Sequence, residues 1–150
     1  MIKQILFTVL LSLSFTAYLT AQRALTGLWV GTLTQGENTY DVKMEMKKDG
    51  RKLSGSSLVI LTDTSYIELH FNGLFHEDRS MNIYEVDILY PESPDIESEY
   101  FKRTYQLLYN RSFNDHFLEG WWHEMEKSAT DNSRRFGRIQ LKRVEDDSKA

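Results

Sequence analysis

The chain has 150 residues, no cysteine and a formal net charge of −4 at pH 7. Without cysteine there is no disulfide scaffold, no thiol nucleophile and no thiol to carry a lipid anchor. Charges of both signs are mixed along the chain and the balance is acidic, so there is no basic footprint for nucleic acid.

Met1-Ile2-Lys3 supplies a positive charge, Ile5 to Leu19 is apolar with a few Ser and Thr, and Leu19-Thr20-Ala21 offers small residues before Gln22. That is the layout of a secretory signal peptide over residues 1–21. The alternative, an N-terminal membrane anchor, needs ~20 apolar residues and finds a shorter run. The expectation is a secreted or periplasmic protein of one domain, residues 22–150, with no membrane span after processing. Export without cysteine suits a bacterial envelope.

Eight alternating segments follow in chain order. Gly27–Gln35 puts Trp29, Gly31 and Leu33 on one face. In Tyr40–Lys48, Tyr40, Val42, Met44 and Met46 alternate strictly with charged neighbours, the mark of a half-buried strand. Lys48-Asp49-Gly50-Arg51 reads as a tight hairpin turn. Lys52–Ile60 presents Leu53, Gly55, Ser57 and Val59, and Tyr66–His76 presents Ile67, Leu69, Phe71, Gly73 and Phe75. Met81–Tyr90 has two readings. Either Ile83, Glu85 and Asp87 face inward, or Tyr84, Val86 and Ile88 do. Tyr100–Asn110 places Phe101, Arg103, Tyr105, Leu107 and Tyr109 inside, and His116–Glu124 places Leu118, Gly120 and Trp122. Arg135–Arg143 closes the series with Gly137, Ile139, Leu141 and Arg143.

Eight consecutive half-buried strands predict an all-β fold, an eight-stranded up-and-down antiparallel β-barrel. Inner-face glycines suit strands that bend sharply. Connections at Lys48–Arg51, Glu77–Ser80 and Arg111–Asp115 are compact. Those at Gly36–Thr39, Leu61–Ser65, Pro91–Glu99 and Lys127–Arg134 read as mostly longer, so one end is expected closed and the other open.

Thr26-Gly27-Leu28-Trp29, with Gly50-Arg51-Lys52-Leu53-Ser54-Gly55-Ser56 on the next hairpin, resembles the opening of the calycins, the lipocalin and avidin group. The resemblance implies that a basic residue of the last strand packs across that Trp, and Arg143 stands in that position. Trp29 and Arg143 are therefore read as structural. Ser56 and Ser57 are all that remains of the avidin pattern there, and the lid tryptophans are missing, so biotin is not expected.

Arg103 is the sharpest candidate for function. A charge among Tyr105, Leu107 and Tyr109 needs a partner, and Glu85 and Asp87 supply it in one register of the fifth strand. It reads either as the polar anchor of a ligand or as half of a structural ion pair. Leu33, Tyr40, Val59, Ile67, Tyr105 and Trp122 would be the apolar walls of a cup for a small apolar or amphipathic molecule. The rival reading is an interaction module with a filled interior, an inhibitor, assembly component or subunit of a homo-oligomer, with Trp121 on the outer face. A catalytic role rests only on Glu85, Asp87 and Arg103. His70, His76, His116 and His123 show no metal-ligand spacing, and no cofactor motif is present. Pro91 to Glu99 is an acidic loop over the open end, through Glu92, Asp95, Glu97 and Glu99.

Overall fold

A strand with one apolar and one charged face must bury the first and wet the second. When every segment shares that pattern, the sheet satisfies all of them by curling into a closed layer. The computed structural model describes residues 24–90, 102–125 and 135–145. The signal-peptide stretch, Phe101, and the connections Pro91–Glu99 and Lys127–Arg134 lie outside the described residues.

The strands are β1 (Gly27–Gln35), β2 (Asn38–Asp49), β3 (Lys52–Thr62), β4 (Ser65–Phe75), β5 (Ser80–Tyr90), β6 (Arg103–Ser112), β7 (Asp115–Glu124) and β8 (Phe136–Arg143). Each pairs antiparallel with the next, and β1 pairs with β8 from Trp29–Arg143 to Leu33–Ile139, so the barrel is closed. The chain is thus an all-β, eight-stranded up-and-down antiparallel barrel. Among the described residues no helix is long and apolar enough to cross a membrane.

The inner faces are those the alternation predicts. Trp29, Leu33, Val42, Met44, Met46, Leu53, Val59, Phe71, Ile83, Tyr105, Leu107, Leu118, Trp122, Ile139 and Leu141 form one buried cluster. Each large side chain there contributes roughly 1.5–3 kcal/mol of transfer free energy. Leu25, just before β1, also belongs to the cluster, and its carbonyl accepts the Trp29 indole N–H at 2.9 Å. It plugs the end of the barrel where β1 begins, which we call the base.

The expected contrast between loops is corrected. The β1–β2 and β3–β4 connections are turns of two residues, Gly36-Glu37 and Asp63-Thr64, because β2, β3 and β4 run further than their alternation suggests. Long connections at the opposite end, the rim, therefore arise only between β5 and β6 and between β7 and β8.

Trp29 and Arg143 are partners in the register at the base. Among the described residues the cation–π contacts do not include this pair. Arg143 Nη2 instead donates to the Thr26 carbonyl at 2.9 Å, tying β8 to the segment that enters β1. Nearby, Tyr109 Oη lies 2.6 Å from His116 Nδ1 with the rings stacked. Burial raises the tyrosine pKa. Burial, then Arg143 and Arg111, lower that of the histidine. Both shifts favour the neutral pair, in which the phenol donates to the imidazole.

Three hairpins share one turn geometry: Gly36, Gly50 and Phe113 each open a two-residue turn with φ of 59°, 58° and 54°. Glycine accepts that conformation freely; an L side chain there costs about 1–2 kcal/mol. Phe113 is also 94 % exposed, so its ring recovers nothing by packing. Phe113→Gly is expected to raise the unfolding free energy by about 1 kcal/mol, read as a higher urea midpoint at unchanged m. An unchanged or lower midpoint would show that the ring has a structural role at the turn.

Candidate functional site

The only charged side chains buried among the described residues, Glu85, Arg103 and Glu124, gather at the rim. Arg103 opens β6, and its guanidinium lies over the Trp122 ring, with Cζ 4.3 Å from the centroid. Arg103 Nη2 donates to Gln35 Oε1 at 3.3 Å. Glu85 anchors the layer from β5: its Oε2 accepts the backbone N–H of Arg103 at 2.8 Å, and its Oε1 accepts the Tyr105 hydroxyl at 2.5 Å. Hydrogen bonds to a carboxylate are stronger than neutral ones, which is what a buried acid requires. Trp122 Nε1 donates to the Thr34 carbonyl at 2.9 Å, tying β7 to β1 across β8.

Glu124 was not singled out from the sequence. It faces Arg103 in the β6–β7 register, accepts the backbone N–H of Arg135 at 3.1 Å and pairs with the Arg135 guanidinium. The signal was available, because Glu124 continues the inner parity of Leu118, Gly120 and Trp122.

Neither reading of β5 holds throughout. Ile83 and Glu85 point inward, but the pairing with β4 then slips: Phe71 faces Glu85 and Leu69 faces Ile88, leaving Val86 and Asp87 opposite His70. This β-bulge inverts the alternation. Asp87 is exposed on the outer surface, so its expected inward position beside Arg103 is corrected. Glu85 alone of the two acids reaches this layer, where it accepts from both Arg103 and Tyr105.

The expected walls of the cup come together, but against one another. Leu33 pairs with Tyr40 and Ile139, Val42 with Val59, Val59 with Ile67, and Tyr105 with Trp122. Leu33, Val59, Tyr105 and Trp122 are each 0 % exposed, and Ile67 is buried; only Tyr40 is half-buried. A void able to hold one water beside any of the first four would leave that side chain accessible area. Where these residues meet, the interior is solid.

Concavities lie outside instead. A groove of about 630 Å3 crosses the outer faces of β2 to β5, with Glu45, Ser56, His70, Asn72 and Asp87 in its lining. Ser56 faces His70 in register and the bulge sets Asp87 beside it, yet no hydrogen bond links the three, so no proton relay is assembled. Among the described residues no group of three or more His, Asp or Glu side chains is placed to hold a metal ion. A second cleft of about 390 Å3 opens on the outer surface at the rim, where the β1–β8 ladder ends.

Comparison with protein-family models, curated proteins and solved structures gives no match. The rim layer crosslinks β1, β5, β6 and β7 through contacts that are buried around Glu85 and part-buried at Gln35 and Thr34. The outer surface beside it carries Trp121 at 53 % and Phe136 at 66 % exposure.

Proposed function

We propose that this chain is a calycin-like barrel with a solid core, working as a recognition module through its outer surface. One observation carries the reading: of the side chains that would line a cup, Leu33, Val59, Tyr105 and Trp122 have no accessible area, whereas Trp121 and Phe136 are exposed on neighbouring strands. A ligand could touch Tyr105 or Trp122 only by displacing core side chains that dense packing holds in place. Exposed aromatic groups beside a cleft are the usual currency of binding surfaces. Arg103 then belongs to the frame. It fixes the rim by lying on Trp122 and bonding Gln35. The module acts outside the cytoplasm, a placement supported by the charge of Lys3 followed by the apolar run Ile5 to Leu19.

The test pairs a long-chain fatty acid bearing a fluorophore with acrylamide quenching of the three tryptophans. A solid barrel gives no saturable uptake of the probe, and quenching confined to Trp121, so that Trp121→Phe abolishes it. Stoichiometric uptake that changes the emission of Trp122 would establish the cup and overturn the proposal.

A further inference from the structure

The cleft at the seam has a definite chemistry. The ladder between β1 and β8 ends at Leu33–Ile139. Beyond it the Thr34 hydroxyl takes over, accepting the N–H of Arg138 at 3.0 Å and donating to its carbonyl at 3.4 Å. Past that bridge the ladder is not resumed, and Gly36, Trp121, Phe136 and Arg138 are among the residues that line the cleft. Register explains the grouping: Trp121 faces Arg138 across β7 and β8, while Phe136 lies diagonally two residues away on β8. Leu108 extends the apolar line diagonally onto β6, also exposed. Arg138 lies over Trp121, its Cζ 5.1 Å from the ring centroid.

Two facts select the occupant. Among the described residues no carboxylate lines the cleft, whereas Arg135 and Arg138 do, so their local field favours an anion. An arginine already stacked on an indole keeps its in-plane N–H groups for a carboxylate. The cleft is also small, about 390 Å3, which is room for a few side chains.

We infer that this seam cleft binds an extended acidic polypeptide segment, seating an aromatic side chain between Trp121 and Phe136 and an adjacent Asp or Glu on Arg138. The inference rests on the solid-core reading above and adds the class of partner.

Short capped peptides test it: Gly-Phe-Asp-Gly, and counterparts with Asn or Lys for the Asp or Ala for the Phe. The readout is the indole N–H resonance of Trp121 in proton–nitrogen correlation spectra, assigned by its loss in Trp121→Phe. The Phe-Asp peptide should shift that resonance saturably, and each counterpart should bind at least about tenfold more weakly, a difference of roughly 1.4 kcal/mol. Arg138→Gln should erase the preference for Asp over Asn while the Trp29 and Trp122 resonances stay in place. Equal binding of the Asp and Asn peptides, or no saturable shift, would overturn the inference. So would a Trp121 shift that follows protein concentration alone, which would make a second copy the occupant. Peptide-induced movement of Trp122 would instead bring down the solid-core reading itself.

Discussion

Gly137→Ala is expected to destabilise the barrel by about 4 kcal/mol, enough to leave much of the chain unfolded or open at the seam. A Cβ at this position would stand 1.7 Å from the Thr34 carbonyl oxygen and 2.7 Å from Trp122 Nε1. The obstacle is backbone, with no flexible side chain that could swing away. Moving that carbonyl also breaks its hydrogen bond from the Trp122 indole, leaving a buried donor unmet. The expected readouts are a collapse of the thermal midpoint and loss of the near-ultraviolet signal from Trp122. Gly36→Ala is the control: its φ is +59° and nothing lies within 4 Å of the added carbon, so only about 1 kcal/mol of backbone strain follows. Comparable losses at the two sites would show that chain flexibility, and not the close approach of β1 to β8, explains Gly137.

The same contact shows how much the sequence could say. Alternation and turn residues fix which side chains face inward, because parity along a strand is a local property. Over the described residues they carried the inner faces of seven strands, including glycines at which a Cβ would meet neighbouring backbone, as at Gly31, Gly55, Gly120 and Gly137. Parity fails where a bulge inserts a residue, and nothing in Ile83 to Ile88 marks the slip at Val86-Asp87; both readings of that strand were half right. Filling was equally hidden. Leu33, Val59, Tyr105 and Trp122 are suitable walls for a cup and equally suitable mutual packing partners. The choice depends on barrel cross-section and on the bulk of Trp29, Met44 and Phe71, which no local pattern encodes. Trp121 was visible as an outer-face aromatic. Its grouping with Phe136 and Arg138 required the β7–β8 register.

Glu85→Gln is expected to cost about 3 kcal/mol, the second large effect, and it tests whether the rim layer is frame or binding site. The carboxylate accepts from two buried donors at once, the Arg103 amide and the Tyr105 hydroxyl. A glutamine has one acceptor oxygen and an NH2 group, so one of those donors meets another donor in a space where Tyr105 has no access to water. Leaving a buried polar group unmet costs about 1–3 kcal/mol, and loss of the negative charge removes the charge-assisted part of both bonds. Tyr105→Phe removes one donor without creating a conflict and should cost less. In the double variant the amide oxygen can serve Arg103 alone, so the two losses should fall short of additivity by about 1 kcal/mol or more. Urea denaturation of the four proteins measures this coupling. If Glu85→Gln were neutral while Arg103→Met also left the fold intact, the rim charges would be solvated and free to serve a ligand. Strong coupling between Glu85 and Tyr105 instead assigns them to the frame, and leaves recognition to the outer face.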